Sequence, residues 1–328
     1  MFFLINTKRN LDGKNKKRDF LDNRFLSNVE LYFLMTSAVI LANIAADIPS
    51  NLIEKYNVFT IQVPVEFPDT NEELLYPSEI TYDEFLKRIH TSKKMPKPIQ
   101  PSIYYFVKTF KHLEEEGYGD IFIINMTSRG TGIVNTVKAS IIQYQKQGGI
   151  IKFHQYDSKE GSFGVGISVI KAAKLLSEGK DFTEIISRLN EFKSTELKTT
   201  FTFESLKYLQ RSGRIGLIKF VMGSLLNIYP CLEGTQDGGI NSFNQAKSYE
   251  EAIEAIVTQA YNLIKNFKNL GCYIVSGNAE KGSTLAKQIL TEQFPEVNFY
   301  GIIPMSGITY SFTGPGSVIV VMFKDFEH

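Results

Sequence analysis

The chain has 328 residues, 43% of them hydrophobic, so it is long enough for one large α/β unit or two smaller domains with a shared interface. Its 36 basic and 35 acidic side chains leave a formal charge of +1, which provides no overall field to attract nucleic acid or an acidic membrane. Only Cys231 and Cys272 are cysteines, and their wide spacing, with no histidine beside them, excludes a disulfide scaffold and a zinc site.

The first part of the chain is polar and basic, and it shows no periodic pattern. We predict that residues 1 to 34 form a disordered extension, or a segment upstream of a natural start at Met35. The apolar run from Leu31 to Ala46 imitates a signal peptide, but about 12 apolar residues are too few to span a bilayer. We interpret the run as a buried first strand and predict a cytoplasmic protein without an integral membrane segment.

Short apolar runs alternate with amphipathic segments over residues 35 to 160. The pattern predicts strands at 38–41, 58–65, 120–125 and 150–156. It predicts helices at 52–56, 82–90, 103–116 and 135–147. Such alternation indicates an N-terminal domain with a parallel sheet covered by helices.

The second part of the chain begins with a turn that contains Gly161, Gly164 and Gly166 and is predicted to open a helix. The predicted helices are 167–178, 182–194, 204–210 and 249–270. The predicted strands are 199–203, 228–232, 273–277, 298–303 and 317–323. We therefore predict a mixed α/β domain over residues 161 to 328.

Two familiar chemical signatures are absent or incomplete. The segment Gly277–Thr284 resembles a phosphate-binding loop, but Lys281 precedes the second glycine, so a helix N-cap at Ser283 or Thr284 accounts better for it. The histidines are scattered and form no ligand set with cysteines or carboxylates. We predict no metal site and no catalytic residues.

Three segments are candidates for binding. Met126–Gly132 and Ser311–Gly316 place hydroxyls and glycines after predicted strands, where α/β sheets bind ligands, although capped tight turns fit them equally well. Arg211 and Arg214 flank a flexible turn at Gly213 and suit a protein or phosphate contact, with a solvated charge pair as the ordinary alternative.

Read in order, several motifs resemble the DegV family, from about residue 38 to residue 323. They are Ala46-Asp47-Ile48-Pro49, Gln100-Pro101-Ser102, Thr131-Gly132-Ile133, Asp157-Ser158-Lys159, Tyr208-Leu209, Arg211-Ser212-Gly213-Arg214-Ile215-Gly216, Gly223-Ser224-Leu225-Leu226-Asn227-Ile228 with Pro230, and Thr313-Gly314-Pro315-Gly316. The arginine-glycine stretch is the most specific of them.

The resemblance implies a two-domain α/β fold with a fatty acid in an apolar tunnel between the domains and its carboxylate near the hydroxyl loops. Some family members are the acyl-carrying subunit of a bacterial fatty acid kinase and present the acid to a separate ATP-binding partner; they need no cofactor and supply no catalytic base. Carried over to this chain, the lipid-binding residues are Asn43, Pro98, Ile99, Gln100, Ser128, Thr131, Gly132, Phe312, Thr313 and Gly314. Arg211 and Arg214 would dock the partner.

The chain departs from the family pattern at the polar end. Pro98 and Ile99 replace two hydroxyl residues, Phe312 replaces a histidine, and Asn43-Ile44 replaces Asp-Ser, which leaves Thr131 as the surviving carboxylate contact. Burial of some 14 methylenes at about 0.8 kcal/mol each gives on the order of 11 kcal/mol before binding entropy is subtracted. We therefore predict that the chain still binds a lipid, either a less polar one or a fatty acid that is poorly placed for phosphoryl transfer.

Two alternatives stay open at this point. The loss of polar groups is also compatible with a degenerate paralogue that keeps the fold as an interaction or regulatory module. An enzyme that acts on a small phosphorylated metabolite would rest on the hydroxyl loops and the incomplete phosphate loop alone.

Overall fold

The structure, a computed structural model, describes residues 37–219 and 228–326. The predicted extension over residues 1 to 34 and the motif part Gly223–Asn227 lie outside the described residues.

The strands and helices alternate through most of the chain. The strands are β1 Ser37–Asn43, β2 Val58–Ile61, β3 Val63–Phe67, β4 Glu72–Tyr76, β5 Lys97–Pro98, β6 Tyr118–Asn125, β7 Lys152–Asp157, β8 Leu197–Thr202, β9 Ile218–Lys219, β10 Tyr229–Gly234, β11 Ile240–Ala246, β12 Leu270–Gly277, β13 Val297–Pro304 and β14 Ser317–Lys324. The α-helices are α1 Ser50–Tyr56, α2 Tyr82–Thr91, α3 Ile103–Glu115, α4 Ile133–Lys146, α5 Ser162–Ser177, α6 Phe182–Glu191, α7 Lys207–Arg211, α8 Tyr249–Ile264, α9 Glu280–Gln293 and α10 Gly307–Thr313.

Two large sheets organise the molecule. The first is parallel throughout, in the order β2-β1-β6-β7, as the alternating pattern predicts. The second is mixed, in the order β13-β12-β14-β8-β10-β11-β9. A small antiparallel sheet, β4-β3-β5, lies beside them. The predicted combination of a parallel sheet followed by a mixed α/β part is confirmed.

The hydrophobic cores show how the layers stack. One core joins the outer face of the parallel sheet to α3 and α4, and another joins one face of the mixed sheet to α8 and α9. A third and larger core lies between the two sheets and includes α5 and α6. The two sheets therefore face each other across α5, and the boundary predicted near Gly161 stays a prediction.

Helix α5 is the central element of this stack. Its residues Ser162 to Ile170 are all buried. A Cβ on Gly166 would lie 2.6 Å from the carbonyl oxygen of Ala46, so glycine lets the helix backbone approach the turn after β1. The prediction that Gly164 and Gly166 belong to a turn is therefore wrong: both are inside the helix.

Other elements differ from their predicted bounds. The strand predicted over 58–65 is two strands, because the chain leaves the parallel sheet at Gln62 and pairs with β4 and β5. Strands β4 and β11 were not predicted, because β4 begins with two exposed glutamates and β11 is mostly polar and partly exposed. The helix predicted to reach Leu270 ends at Ile264, since Leu270 begins β12. Helix α9 begins at Glu280 with Ala279 at the N-cap position, so the predicted caps Ser283 and Thr284 lie inside it.

Candidate functional site

A cavity of about 270 Å³ lies between the two sheets. Its wall includes residues from the ends of β1 and β6, the start of α5, strand β8, helix α10 and the β10–β11 turn. Most of the wall is apolar, with side chains such as Val63, Phe201, Phe203, Ile308 and Ile319. A concave, mostly apolar space with a few polar groups is the usual form of a small-molecule site.

Most of the ten predicted lipid-binding residues are on the wall of this cavity. Those on the wall are Asn43, Pro98, Ile99, Gln100, Thr131, Gly132, Phe312 and Thr313. Ser128 and Gly314 are not part of it. The backbone N–H of Ser128 bonds to Asp157 at 3.2 Å on the surface, and Gly314 ends α10 with a φ of 77° beneath the ring of Tyr208.

The surviving hydroxyl of the predicted carboxylate clamp is engaged within the protein. Thr131 Oγ1 donates to Gln100 Oε1 at 3.3 Å and accepts from the N–H of Ile133 at 3.3 Å. Gln100 in turn donates to the hydroxyl of Thr136. These bonds fix the loop at the start of α4, so Thr131 is one member of a polar cluster and not a free donor.

Asn43 also has a local structural role. Its side-chain oxygen accepts a hydrogen bond from the N–H of Ala45 at 2.8 Å and so caps the short 3-10 turn Ile44–Ala46. The turn ends at Asp47, whose φ of 52° is left-handed, a conformation that Asp and Asn adopt more readily than most residues.

Asp47 ties this turn to two other parts of the cavity wall. Its carboxylate accepts bonds from Ser162 Oγ at 2.5 Å, Thr309 Oγ1 at 2.9 Å and the N–H of Ser306 at 3.1 Å. Burial raises the pKa of Asp47 to about 6, while these hydrogen bonds oppose the rise. The Ala-Asp-x-Pro motif therefore joins the parallel sheet to α5 and α10.

Helix α10 replaces part of what the sequence predicts as a hydroxyl loop, since Ser311 to Thr313 are helical. Ser306 caps the helix by accepting from the N–H of Thr309 at 3.3 Å. On its other side, the N–H of Gly307 donates to Tyr76 and the hydroxyl of Tyr310 bonds to His90 at 2.9 Å. The helix is thus held from both sides, and it places Phe312 on the cavity wall.

The two arginines predicted to dock a partner have different surroundings. Arg211 is exposed at the end of α7. Arg214 is half-buried on the cavity wall, where its guanidinium carbon is 4.9 Å from the ring centre of Phe312 and its Nη1 donates to the carbonyl of Ser212 at 2.5 Å. Among residues 37–219 and 228–326, no carboxylate pairs with Arg214. The role of both arginines in docking stays a prediction.

A buried ion pair lies at another part of the cavity wall. Glu160 and Lys193 are 4% and 6% exposed, and Lys193 Nζ is 2.6 Å from Glu160 Oε1. Glu160 is on the cavity wall together with Thr199 of β8. Neither Glu160 nor Thr199 was predicted from the sequence, although Glu160 directly follows the Asp157-Ser158-Lys159 motif.

Two loops that contribute to the cavity wall also contact each other at the surface. Thr127 Oγ1 donates to the carbonyl of Gly238 at 2.9 Å, and Arg129 forms an ion pair with Asp237 at 2.6 Å. The first hydroxyl loop therefore contacts the β10–β11 turn. Within the described ranges, no group of three or more His, Cys, Asp or Glu side chains could hold a metal ion.

The DegV family model, described as "Uncharacterised protein, DegV family", matches residues 37–325. The chain belongs to the DegV family. A DegV domain-containing protein of Clostridium acetobutylicum is 28% identical over 296 residues, which is 89% of this chain and 100% of that protein. A fatty acid-binding protein of Thermotoga maritima is 25% identical over 85% of this chain and 95% of its own length.

Solved structures of fatty acid-binding proteins have the same fold. A stearic acid-binding protein of Eubacterium ventriosum aligns with a TM-score of 0.78 at 20% identity, over 88% of this chain and 98% of that one. A fatty acid-binding DegV protein of Thermus thermophilus aligns with a TM-score of 0.77 at 20% identity, over 88% of this chain and 100% of that one. The predicted family and fold class are thereby confirmed.

Proposed function

We propose that this DegV protein binds a fatty acid in the cavity between its sheets, with the carboxylate at Arg214. The supporting observation is Arg214 itself: a half-buried cation on a mostly apolar wall, without a carboxylate partner among the described residues. A guanidinium forms strong, directional hydrogen bonds with a carboxylate. Arg214 would supply a donor to the carboxylate in place of the one that is lost where Phe312 replaces the family's histidine.

Two further observations support this proposal. The Thermotoga maritima relative is named for fatty acid binding, and the Eubacterium ventriosum structure for stearic acid binding. The cavity volume of about 270 Å³ is near the lower end of the range for small-molecule sites, which suits a narrow acyl chain. The apolar wall would supply most of the binding free energy, and Arg214 would fix the head group.

The first test is extraction of the folded, purified chain followed by mass spectrometry, with an acyl lipid as the expected finding. In a second test, delipidated Arg214→Met should bind a saturated fatty acid about 10 to 100 times more weakly than wild type, since a charge-assisted hydrogen bond contributes about 1.5–3 kcal/mol. Affinity for the alcohol of equal chain length should change little.

Arg211→Met is the matched control, because it removes the same group from the exposed end of α7 and should leave the affinity for the fatty acid unchanged. Equal affinities of the Arg214 variant, the Arg211 variant and wild type would refute the proposed anchor. An empty cavity and no measurable binding would refute the function.

The degenerate-paralogue alternative makes the opposite prediction. If the polar end has decayed, wild type should not bind fatty acid, and Phe312→His combined with Pro98→Thr and Ile99→Ser should restore binding. Strong binding by wild type, unchanged in the triple variant, would exclude decay.

We also propose that the bound acid is presented to an ATP-binding fatty acid kinase and that exposed Arg211 contributes to docking. In a reconstituted reaction, Arg211→Met should lower the rate of ATP-dependent acyl phosphate formation without changing fatty acid affinity. An unchanged rate would remove Arg211 from the interface.

We propose a cytoplasmic location as well. The thiols of Cys231 and Cys272 are free and buried, as expected in a reducing compartment. Within the described residues, no helix is both long and apolar enough to cross a membrane. Fractionation of cells that express the protein would test the location.

A further inference from the structure

The opening of the cavity can be located from the exposure of its wall. Among the described residues of the wall, Gln100, Gly132 and Lys159 are exposed, whereas others such as Phe201 and Ile319 are buried. Gly132 ends the first hydroxyl loop, which follows β6, and Lys159 lies in the loop that follows β7. The cavity therefore opens at the carboxyl end of the parallel sheet, where α/β sheets usually bind ligands.

Two turns from different sheets meet beside this opening, the first hydroxyl loop and the β10–β11 turn. Thr127 Oγ1 donates to the carbonyl of Gly238 at 2.9 Å, and both residues are on the cavity wall. Nearer to solvent, Arg129 Nε donates to the carbonyl of Asp237 at 3.1 Å, and Arg129 Nη2 lies 2.6 Å from Asp237 Oδ2. We call these four residues the strap, because their contacts join the parallel sheet to the mixed sheet.

Gly238 allows the two turns to approach this closely. Its φ of 82° is in the region that favours glycine. A Cβ at this position would collide with Thr127 Oγ1 and would lie 3.3 Å from the Cα of Lys159. Because Lys159 is one of the exposed residues of the wall, the strap borders the opening itself.

Each turn is also held by bonds that do not cross to the other. The N–H of Thr127 donates at 2.8 Å to the carbonyl of Glu160, in the loop after β7. The N–H of Thr235 donates at 2.9 Å to the carbonyl of Gly239 and closes the β10–β11 turn. The turns can therefore move apart as units when the strap opens. Its ion pair is between side chains that are 49% and 44% exposed, and such pairs are weak, so opening requires no unfolding.

We propose that the strap controls the entry and release of the fatty acid; the inference rests on the proposed function. The opening widens when Arg129 leaves Asp237 and the two turns separate, and it narrows when the contacts form again. The strap acts as a gate and not as a contact to the ligand. It therefore sets the rates of association and dissociation without changing the affinity.

The test measures release of an eighteen-carbon fatty acid, and of the alcohol of equal chain length, from the loaded full-length chain. Arg129→Gln should speed the release of both ligands about threefold, because it removes an exposed ion pair. Arg129→Glu places a like charge opposite Asp237 and should speed release further, about tenfold. Association should accelerate by the same factor, so that the equilibrium affinity stays within about twofold of wild type. Adding Asp237→Arg to Arg129→Glu should return the rates toward those of wild type.

Arg188→Glu is the matched control, because Arg188 forms an ion pair of similar exposure with Glu191 on α6, and neither residue is on the cavity wall. This variant should keep the wild-type rates.

Tight binding with unchanged rates in both Arg129 variants would overturn the strap and leave the proposed function intact. Faster release of the acid alone, with the alcohol unaffected, would also overturn it, because Arg129 would then be a contact to the carboxylate. If wild type bound no acid, the proposed function would be refuted and the strap proposal with it.

Discussion

Two buried carboxylates lie close to the cavity, one behind its wall and one on it, and the protein holds them in different ways. Asp47 and Glu160 are each 4% exposed. Asp47 accepts hydrogen bonds from two hydroxyls and one backbone N–H, whereas Glu160 faces the ammonium group of Lys193. Burial still raises the pKa of Asp47 to about 6, which shows that neutral donors offset only part of the desolvation of a charge.

This difference separates the functions of the two carboxylates. Both oxygens of Asp47 accept bonds from the protein, so Asp47 joins three segments of the chain. Glu160 accepts from Lys193 through one oxygen, and the ammonium group balances its charge. Asp47 is thus a structural joint beside the cavity, whereas Glu160 is itself on the cavity wall.

The largest expected effect follows from breaking the ion pair. Lys193→Met leaves the carboxylate of Glu160 buried without a counter-charge, and we expect it to lower the free energy of unfolding by about 3–5 kcal/mol. Urea denaturation measures this change. The double variant Glu160→Leu with Lys193→Met should recover most of the loss, because it removes both charges; a single-variant loss below about 1 kcal/mol would contradict the role of the pair.

The next effect concerns the proton on Asp47. Because the folded protein keeps this proton up to a pH of about 6 and the unfolded chain releases it near 3.8, the contribution of Asp47 to stability is greatest below 3.8 and falls as the pH rises to 6. The decrease should be on the order of 2–3 kcal/mol. We expect Asp47→Asn, which suits the left-handed backbone, to remove this decrease in denaturation curves recorded between pH 4 and pH 7.

An unchanged pH profile in Asp47→Asn would show that other groups produce the dependence. Glu160→Gln is the comparison variant: it alters the other buried carboxylate and should leave the decrease between pH 4 and pH 6 in place.

The smallest effect concerns the two buried hydroxyls of β8, on Thr199 and Thr202, that have no hydrogen-bond partner among the described residues. Thr202→Val should raise the free energy of unfolding by up to about 1 kcal/mol, because it removes such a hydroxyl. Thr199→Val should give a similar gain, because its hydroxyl oxygen is likewise buried without a partner among the described residues. Thermal unfolding of both variants measures the gains, and a loss of stability in either variant would contradict this reading of its hydroxyl.

Much of the fold could be predicted because its strands have strong signals. The strands of the parallel sheet are short, buried apolar runs between helices, and the predicted bounds 120–125 differ little from Tyr118–Asn125. Strand β11 had no such signal, since most of its residues are polar and partly exposed at the side of the mixed sheet. Its pairing with β10 depends on contacts that are distant in sequence.

The candidate site could be predicted only in part. Family motifs led to Asn43, Thr131 and Phe312, all of which line the cavity. Arg214 was predicted as a docking residue, because the sequence does not show that its guanidinium packs on Phe312. Glu160 and Thr199 carry no motif, and only the folded structure brings them to the cavity wall.

The burial of α5 limits which substitutions this sequence can accept during evolution. An ordinary surface helix has one stripe of positions where substitutions accumulate without penalty, but Ser162 to Ile170 leave no such stripe. Random replacement in this segment should therefore yield few folded proteins, whichever side of the helix is altered. A mutational scan would find the segment as intolerant as the ligand-contacting positions, so low tolerance there would not by itself mark a binding residue.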